Sequence, residues 1–334
     1  MFAKKIGIDL GTANSLVYLV GKGIVLQEPT VVAITAEDNK VVAIGSQARE
    51  MLGRTPANII TSRPMRDGVI ADYIVTEAML RYFLDKICGR SRFFKPDVMI
   101  CAPAGVTSVE RRAVLDATLS AGAKNVYLID EPLAASIGAN MPIGEASGNM
   151  VVNIGGGTTE VAVIALGGIV VHNTLRVAGN KIDEALASYI RKKYSLVVGD
   201  QMAEEIKIKI GSALPLEKEM KIEIKGRDIA GGLPRTVEIS STQATEAIKP
   251  VLSAIILAIK KVFEDTPPEL AADIIDKGIM MTGGTSLLRN FDQLLTQALG
   301  VPCYVADNPI ECVVQGTGIA IENLEDYKRN VTQR

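Results

Sequence analysis

Histidine and tryptophan are nearly missing from this chain: it has one histidine, His172, and no tryptophan among 334 residues. With so little histidine, and four cysteines (Cys88, Cys101, Cys303 and Cys312) that form no CxxC pair, the sequence argues against a zinc site. Buried, reduced thiols of a cytoplasmic protein are the plainer reading of those cysteines. No charge of one sign dominates either. The net charge is −2, with lysine and arginine dispersed, so the electrostatic footprint of a nucleic-acid binder is missing. Long apolar runs are also lacking: the longest, "VLSAIILAI", is about half of what a bilayer span requires. "MFAKKIGIDL" is too short in its apolar stretch for a signal peptide. The chain is not expected to cross a membrane.

What is present is the composition of an ordered globular protein, 48% hydrophobic and 22% charged. Its length exceeds one small core, so two domains with smaller insertions are expected. One pattern occurs twice. "IGIDLGTANSLVYLVGKGIV" and "VVNIGGGTTEVAVIALGGIV" each read as strand, small-residue turn, strand. Asp9 aligns with Asn153, Gly11 with Gly155, and Val17, Leu19 and Val20 with Val161, Val163 and Ile164. With one extra residue in the second copy, Gly23-Ile24-Val25 then aligns with Gly168-Ile169-Val170.

Two related halves facing each other would set two small-residue tips against one polyphosphate. Gly11-Thr12-Ala13-Asn14 and Gly155-Gly156-Gly157-Thr158 would offer backbone N–H groups from both sides. Glycine suits that role because a Cβ would hold the backbone away from the anion. No GxxxxGK[ST] occurs, and the glycines lead into a second strand rather than a helix. The pattern is therefore neither a Walker loop nor a Rossmann turn.

Each half also alternates helix and strand. Thr107 and Glu110 form a capping box that opens "TSVERRAVLDATLSAG", stopping at Gly122. The strand "VYLI" follows and ends in Asp130-Glu131-Pro132. Further on, "GIMMTGG" reads as a strand leading into the helix "TSLLRNFDQLLTQALG". There Leu287, Leu288, Phe291, Leu294, Leu295, Ala298 and Leu299 share an apolar core face. The stretch "EMKIEIKGRDIAGGLPRTVEI" reads as an exposed hairpin. This alternation implies α/β layers with ligands outside the carboxyl ends of the strands.

Taken in order, "IGIDLGTANS", "RPMRDGVIADY", "GNMVVNIGGGTTEVAV", "RVAGNKIDEA", "TPPELAADIIDKGIMMTGG" and "DNPIECVVQGTG" resemble the actin, Hsp70 and hexokinase superfamily, and within it the MreB and Mbl bacterial actins. The resemblance covers essentially the whole chain. It implies an α/β, actin-like ATPase fold: two RNase H-like domains around a nucleotide cleft, each with a small inserted subdomain. The first domain would comprise residues 1–32, 66–145 and 312–334, with the insertion 33–65. The second would comprise 146–182 and 244–311, with the insertion 183–243.

The resemblance also implies roles for residues. Thr12, Ala13 and Asn14 would contact the phosphates from one hairpin, and Gly156, Gly157 and Thr158 from the other. Gly179 and Asp183 would approach the ribose. Glu204, Glu205 and Lys207, on "MAEEIKIKIG", would border the adenosine, and Gly283, Gly284 and Thr285 would complete the pocket. From the residues alone, the Glu204–Lys207 stretch reads equally as a solvated helix face, and Gly283-Gly284 as a plain strand–helix turn.

Hydrolysis of ATP needs the γ-phosphate held, its charge neutralised by Mg²⁺, and a water in line. Asp9 is expected to serve the metal through water. Glu131 is the candidate to orient or deprotonate the attacking water, helped by the Thr158 hydroxyl. Glu131 ahead of Pro132 also suits a helix N-terminus, and both roles are compatible. At Asn153, where the resemblance implies aspartate, one negative charge is lost and an NH₂ donor replaces an acceptor oxygen. The expectation is that ATP and ADP still bind while metal positioning and hydrolysis weaken. Two lesser departures are Asp130, where glutamate is common, and Thr285, where the family has a third glycine.

The same resemblance implies filaments: polar contacts between inserted subdomains of successive copies, protofilaments paired antiparallel, and wall-elongation membrane proteins as partners. "GRSRFFKPD" adds a membrane expectation. Phe93 and Phe94 would insert into the interface while Arg90, Arg92 and Lys95 meet anionic head groups on the inner face of the cell membrane. The competing reading is an aromatic pair folded back on the core. Four functions are thus weighed: a membrane-associated filament organising wall synthesis and rod shape; a sugar or acetate kinase; an Hsp70-type chaperone, disfavoured because no residues remain for a peptide-binding module; and a nucleotide-locked scaffold that does not hydrolyse.

Overall fold

A computed structural model describes residues 3–89 and 95–334. The alternating residues of the first repeat form a three-stranded antiparallel meander, Lys5–Leu10, Asn14–Leu19 and Gly23–Pro29. Asp97–Ala102 and Asn125–Asp130 extend it in parallel beyond Lys5–Leu10, and Val331–Gln333 closes that edge antiparallel. The second repeat builds the same arrangement. Asn149–Ile154, Thr159–Ala165 and Gly168–Leu175 form a meander, and Ile279–Thr282 and Cys303–Val305 add in parallel. Each meander carries a register shift between its second and third strands, at Val17/Tyr18 and at Val163/Ile164.

Period-two alternation decides which way each side chain faces. Ile6, Ile8, Val98 and Ile100 pack outward under the helix Tyr73–Cys88, against Met79, Leu80 and Phe83. Met150, Val152, Val161 and Val163 pack outward under Gly179–Tyr194 and Ser241–Asp265. The opposite faces look toward each other. Met99, Cys101 and Ile129 of the first sheet share one core with Val151, Ala162 and Ile164 of the second, filled by Glu131–Gly138 and Cys312–Glu322.

Those two helices touch backbone to backbone. A Cβ at Gly138 would lie 1.8 Å from the Cys312 carbonyl oxygen, and one at Gly316 1.8 Å from that of Ala134. No other residue fits either position without pushing the helices apart.

Two small sheets stand apart from these layers. Val32–Thr35, Val41–Ile44 and Ile59–Ser62 form one; Leu196–Val197, Lys221–Asp228 and Pro234–Ser240 form the other. The expected exposed hairpin is therefore present, its turn set by Asp228 Oδ1, which accepts from the Ala230 and Gly231 amides at 3.0 and 2.8 Å. The capping box is present too: Thr107 Oγ1 accepts from the Glu110 amide at 3.2 Å and Glu110 Oε2 from the Thr107 amide at 2.7 Å, opening Ser108–Ser120.

One expected helix is broken. Residues Gly284–Leu287 form a single 3₁₀ turn, Asn290 adopts a left-handed φ of 57°, and the α-helix runs only over Phe291–Leu299. The Arg289 carbonyl accepts from the Ala213 amide at 2.8 Å, which draws the chain out of helical register. Leu287, expected in the core, is 56% exposed. Among the described residues no helix is long and apolar enough to cross a membrane. Phe93 and Phe94, with Arg90 and Arg92, lie outside the described residues.

Candidate functional site

Asp9 and Asn153 are the penultimate residues of Lys5–Leu10 and Asn149–Ile154. Odd positions of these strands face inward, so both side chains point into the space between the sheets. Just beyond them the two hairpin tips meet. A Cβ on Gly156 would come within 2.7 Å of the Ala13 Cβ, and one on Gly157 within 2.5 Å of Thr12 Oγ1. The close approach requires glycine at both positions.

The tips are braced from behind. Thr12 Oγ1 accepts from the Gly68 amide at 3.0 Å, and Thr30 Oγ1 donates to the Gly11 carbonyl at 2.7 Å. Across the cleft, Thr285 Oγ1 donates to the Gly155 carbonyl at 2.7 Å. Thr285 thus ties the second tip to the strand end beside it, an added clamp rather than an obstruction.

A cavity of about 400 Å³ opens where the tips meet, a size suited to a small-molecule ligand. Its walls bring together Asp9, Gly11, Thr12, Ala13, Asn14, Glu131, Asn153, Gly155, Gly156, Gly157, Thr158, Gly179, Glu204, Lys207, Gly283, Gly284 and Thr285. Two of the expected residues are elsewhere. Glu205 faces away and pairs with Lys209. Asp183 lines a second, adjoining cavity of about 790 Å³ that reaches Thr12, Ala13 and Asn14 from the other side. Its Oδ2 pairs with Lys207 Nζ at 2.9 Å, while its buried Oδ1 has no partner. An acceptor left free beside the cavity suits a sugar hydroxyl.

Ile208 and Ile310 on the apolar side went unnoticed in the sequence, and Leu287 and Leu288, read there as core, line the same cavity. The exposed Leu287 is explained here, since the broken helix turns it toward the cavity mouth. At the adjoining cavity Arg49 joins the helix Ser46–Glu50 to Asp200–Ile210, pairing with Glu204 at 2.6 Å and accepting on its carbonyl from Gln201 Nε2 at 2.9 Å.

The floor holds a cluster of carboxyl groups. Burial lifts Asp9 to about 7, against the opposing pull of the Cys101 thiol, whose Sγ lies 3.6 Å from Oδ1. Burial pushes Glu131 well above the usual range, with Glu160 and Asp9 adding to the rise and the Asn153 hydrogen bond opposing it. Glu160 is lifted to about 7 by burial. Its Oε2 accepts from the Ala104 amide at 3.1 Å and from Thr174 Oγ1 at 2.9 Å, and its Oε1 has no partner. Glu160 was missed in the sequence; the signal was a charged residue on the inward register of the otherwise apolar "TEVAVIA". At the mouth, burial lifts Asp183 to about 6 in spite of Lys207. Asp130 turns away from the cavity to pair with Arg111.

Asn153 is fully engaged. Its Nδ2 donates to Glu131 Oε1 at 2.8 Å, and its Oδ1 accepts from Thr282 Oγ1 at 3.0 Å. Among the described residues no group of three or more His, Cys, Asp or Glu is arranged to hold a metal ion. A metal here would take most of its ligands from phosphate and water, which is how Mg²⁺ is usually held at phosphates. Asp9 fits beside such an ion.

Two sheets of like order, with two crossing helices packed between them and a cavity between mirrored tips, define the actin-like ATPase fold. Within that class the chain belongs to the MreB/Mbl family, whose pattern, described as MreB/Mbl protein, matches residues 3–329. It is 51% identical over 325 residues to the cell shape-determining protein Mbl of Bacillus cereus, covering 97% of this chain and 98% of that one. To the cell shape-determining protein MreB of Escherichia coli it is 48% identical over 331 residues, covering 97% and 95%. MreB5 of Spiroplasma citri bound to ADP superposes with a TM-score of 0.93 at 35% identity, covering 98% of this chain and 99% of that one. Its AMPPNP-bound form has the same score and identity, covering 99% of each.

Proposed function

We propose that the chain binds ATP and ADP between the facing hairpin tips and polymerises with copies of itself on the inner face of the cell membrane. There, with wall-elongation membrane proteins, it organises wall synthesis and keeps the cell rod-shaped. The observation that carries this reading is the contact of the two glycine-bearing tips at the cavity. Support comes from MreB5, bound to ADP and to AMPPNP, and from relatives named cell shape-determining proteins. We assign residues 1–32, 66–145 and 312–334 to one lobe and 146–182 and 244–311 to the other, with 33–65 and 183–243 as insertions.

In this reading the amides of Thr12–Asn14 and Gly156–Thr158 bind the phosphates, and Asp183 accepts from the ribose. Mg²⁺ bound beside the phosphates supplies charge neutralisation, with Asp9 accepting from its water shell. Glu131 takes the proton of the attacking water, its basicity raised by burial and by the neighbouring Glu160 and Asp9. Thr158 orients the water. Electron microscopy of the chain with ATP, Mg²⁺ and anionic vesicles tests the whole; no filaments under any nucleotide condition would refute it. Replacing Phe93 and Phe94 with alanine is expected to abolish vesicle pelleting while nucleotide binding persists, since many weak contacts summed along a filament provide the attachment.

One observation favours a second reading, a filament that scarcely hydrolyses. The Asn153 amide donates to Glu131 and so opposes its basicity. Phosphate release separates the two: Asn153→Asp is expected to raise the rate by at least about tenfold. Equal rates would remove Asn153 from the account.

A further inference from the structure

We propose that the second cavity seats an additional phosphate chain, so that this protein takes nucleotides bearing a diphosphate on a ribose hydroxyl as well as at the 5′ end. The proposal rests on the nucleotide reading above and deepens it by naming a class of ligand.

The two cavities share a wall. Thr12, Ala13, Asn14, Met65, Asn180 and Glu204 line both. Gly179 and Lys207 line the first and Asp183 the second, and Lys207 Nζ spans them, donating to the Gly179 carbonyl at 3.3 Å and to Asp183 Oδ2 at 2.9 Å. A ribose at these residues stands on the boundary. With its 5′ phosphates on the tips and its hydroxyls toward Asp183, a substituent on either hydroxyl leads into the second space. ADP or ATP alone would leave that space, about 790 Å³, unfilled.

The charges there suit an anion. Most of them are already matched: Glu204 with Arg49, Asp183 with Lys207, Glu184 with Lys181 at 2.7 Å, and Asp67 with Arg66 at 3.9 Å. Asp200 opens the helix Asp200–Ile210, where the amide ends offset its charge. Arg63 and Arg191 remain, and among the described residues neither pairs with a carboxylate. Arg63 follows the strand Ile59–Ser62, whereas Arg191 belongs to Gly179–Tyr194, so the two guanidinium groups enter from different lobes. Their planar forks match phosphate oxygens.

Spacing sets the length of the substituent. Asn180, Glu184, Ala187 and Arg191 recur every three or four residues and so form one face of their helix along the cavity wall. Arg191 lies eight residues beyond Asp183, about 12 Å along the axis. Arg63 is close enough to Asp183 to pull on its charge. A first phosphate beyond the ribose therefore meets Arg63, and a second is carried toward Arg191.

The test is calorimetric titration, with Mg²⁺, of ADP, of ADP bearing a 2′- or 3′-phosphate, and of ADP bearing a 3′-diphosphate. The proteins are the unmodified chain, Arg63→Ala, Arg191→Ala, the double variant and Lys192→Ala. The diphosphate should bind at least about 30-fold more tightly than ADP, and the monophosphates should fall between. Arg63→Ala should weaken all the ribose-phosphorylated ligands, and Arg191→Ala chiefly the diphosphate. Both should leave ADP affinity within about twofold, a readout that misfolding would move. Lys192, exposed and outside the cavity, controls for general attraction of anions; an equal loss in Lys192→Ala overturns the proposal. So does the absence of any preference over ADP, or a preference that survives in the double variant. Loss of filaments in the double variant with no ligand preference in the unmodified chain would assign the arginines to a neighbouring copy and equally overturn it. Failure of the unmodified chain to bind ADP refutes the nucleotide reading instead.

Discussion

The Glu160 carboxyl is fully buried and keeps a proton to about pH 7 because burial disfavours its charge. The unfolded chain releases that proton near pH 4.5, the group's ordinary value. Between those values the native state holds more protons than the unfolded one, so Glu160 stabilises the fold fully below about pH 4.5 and loses that contribution as pH rises through about 7. Raising pH from about 5 to 8 should thus destabilise the protein, Glu160 accounting for on the order of 2–3 kcal/mol. Glu160→Gln keeps an acceptor for Ala104 and Thr174 but cannot ionise. Thermal melts across pH should show a shallower decline in that variant; identical slopes would remove Glu160 as the source. Asp9 and Asn153 were legible in the sequence because a repeat aligned them and strand alternation turned both inward. Glu160 was not, because its partners Ala104 and Thr174 are 56 and 14 residues away, and only folding brings them together.

Among the elements, the strands were the most readable, since alternation of apolar and polar residues carries both their existence and their orientation. The stretch from Gly284 to Leu299 was not. Its leucines match a helical face, yet the Arg289 carbonyl is claimed by Ala213, a contact that local periodicity cannot reveal. The crossing of Glu131–Gly138 with Cys312–Glu322 was equally invisible, because a glycine inside a helix reads as a weak point until its neighbour is known. Gly138→Ala or Gly316→Ala should each cost about 2–4 kcal/mol in urea unfolding, by forcing the helices apart. Gly144, where an added Cβ meets nothing within 4 Å, is the control, and its alanine variant should differ from the parent by less than about 0.5 kcal/mol. Comparable losses at all three sites would refute the close crossing.

At the scale of the whole molecule, the two lobes are held together at two levels: the Asn153–Glu131 bond at mid-height and the Arg49–Glu204 pair at the top. The top pair is partly exposed, so it adds at most about 1 kcal/mol to stability. Its effect should appear in rates. Arg49→Ala is expected to speed release of a fluorescent nucleotide severalfold while leaving the melting temperature within about 2 °C. An unchanged release rate would mean that the mouth opens elsewhere.

The glycine crossing lies inside the first lobe, to which both of its helices belong. Where two helices rest on bare main chain, no side chain stands between them to change rotamer, so that wall of the cleft is stiff. Turnover of the bound ligand would then be governed at the rim, where a single arginine can be exchanged without disturbing that wall.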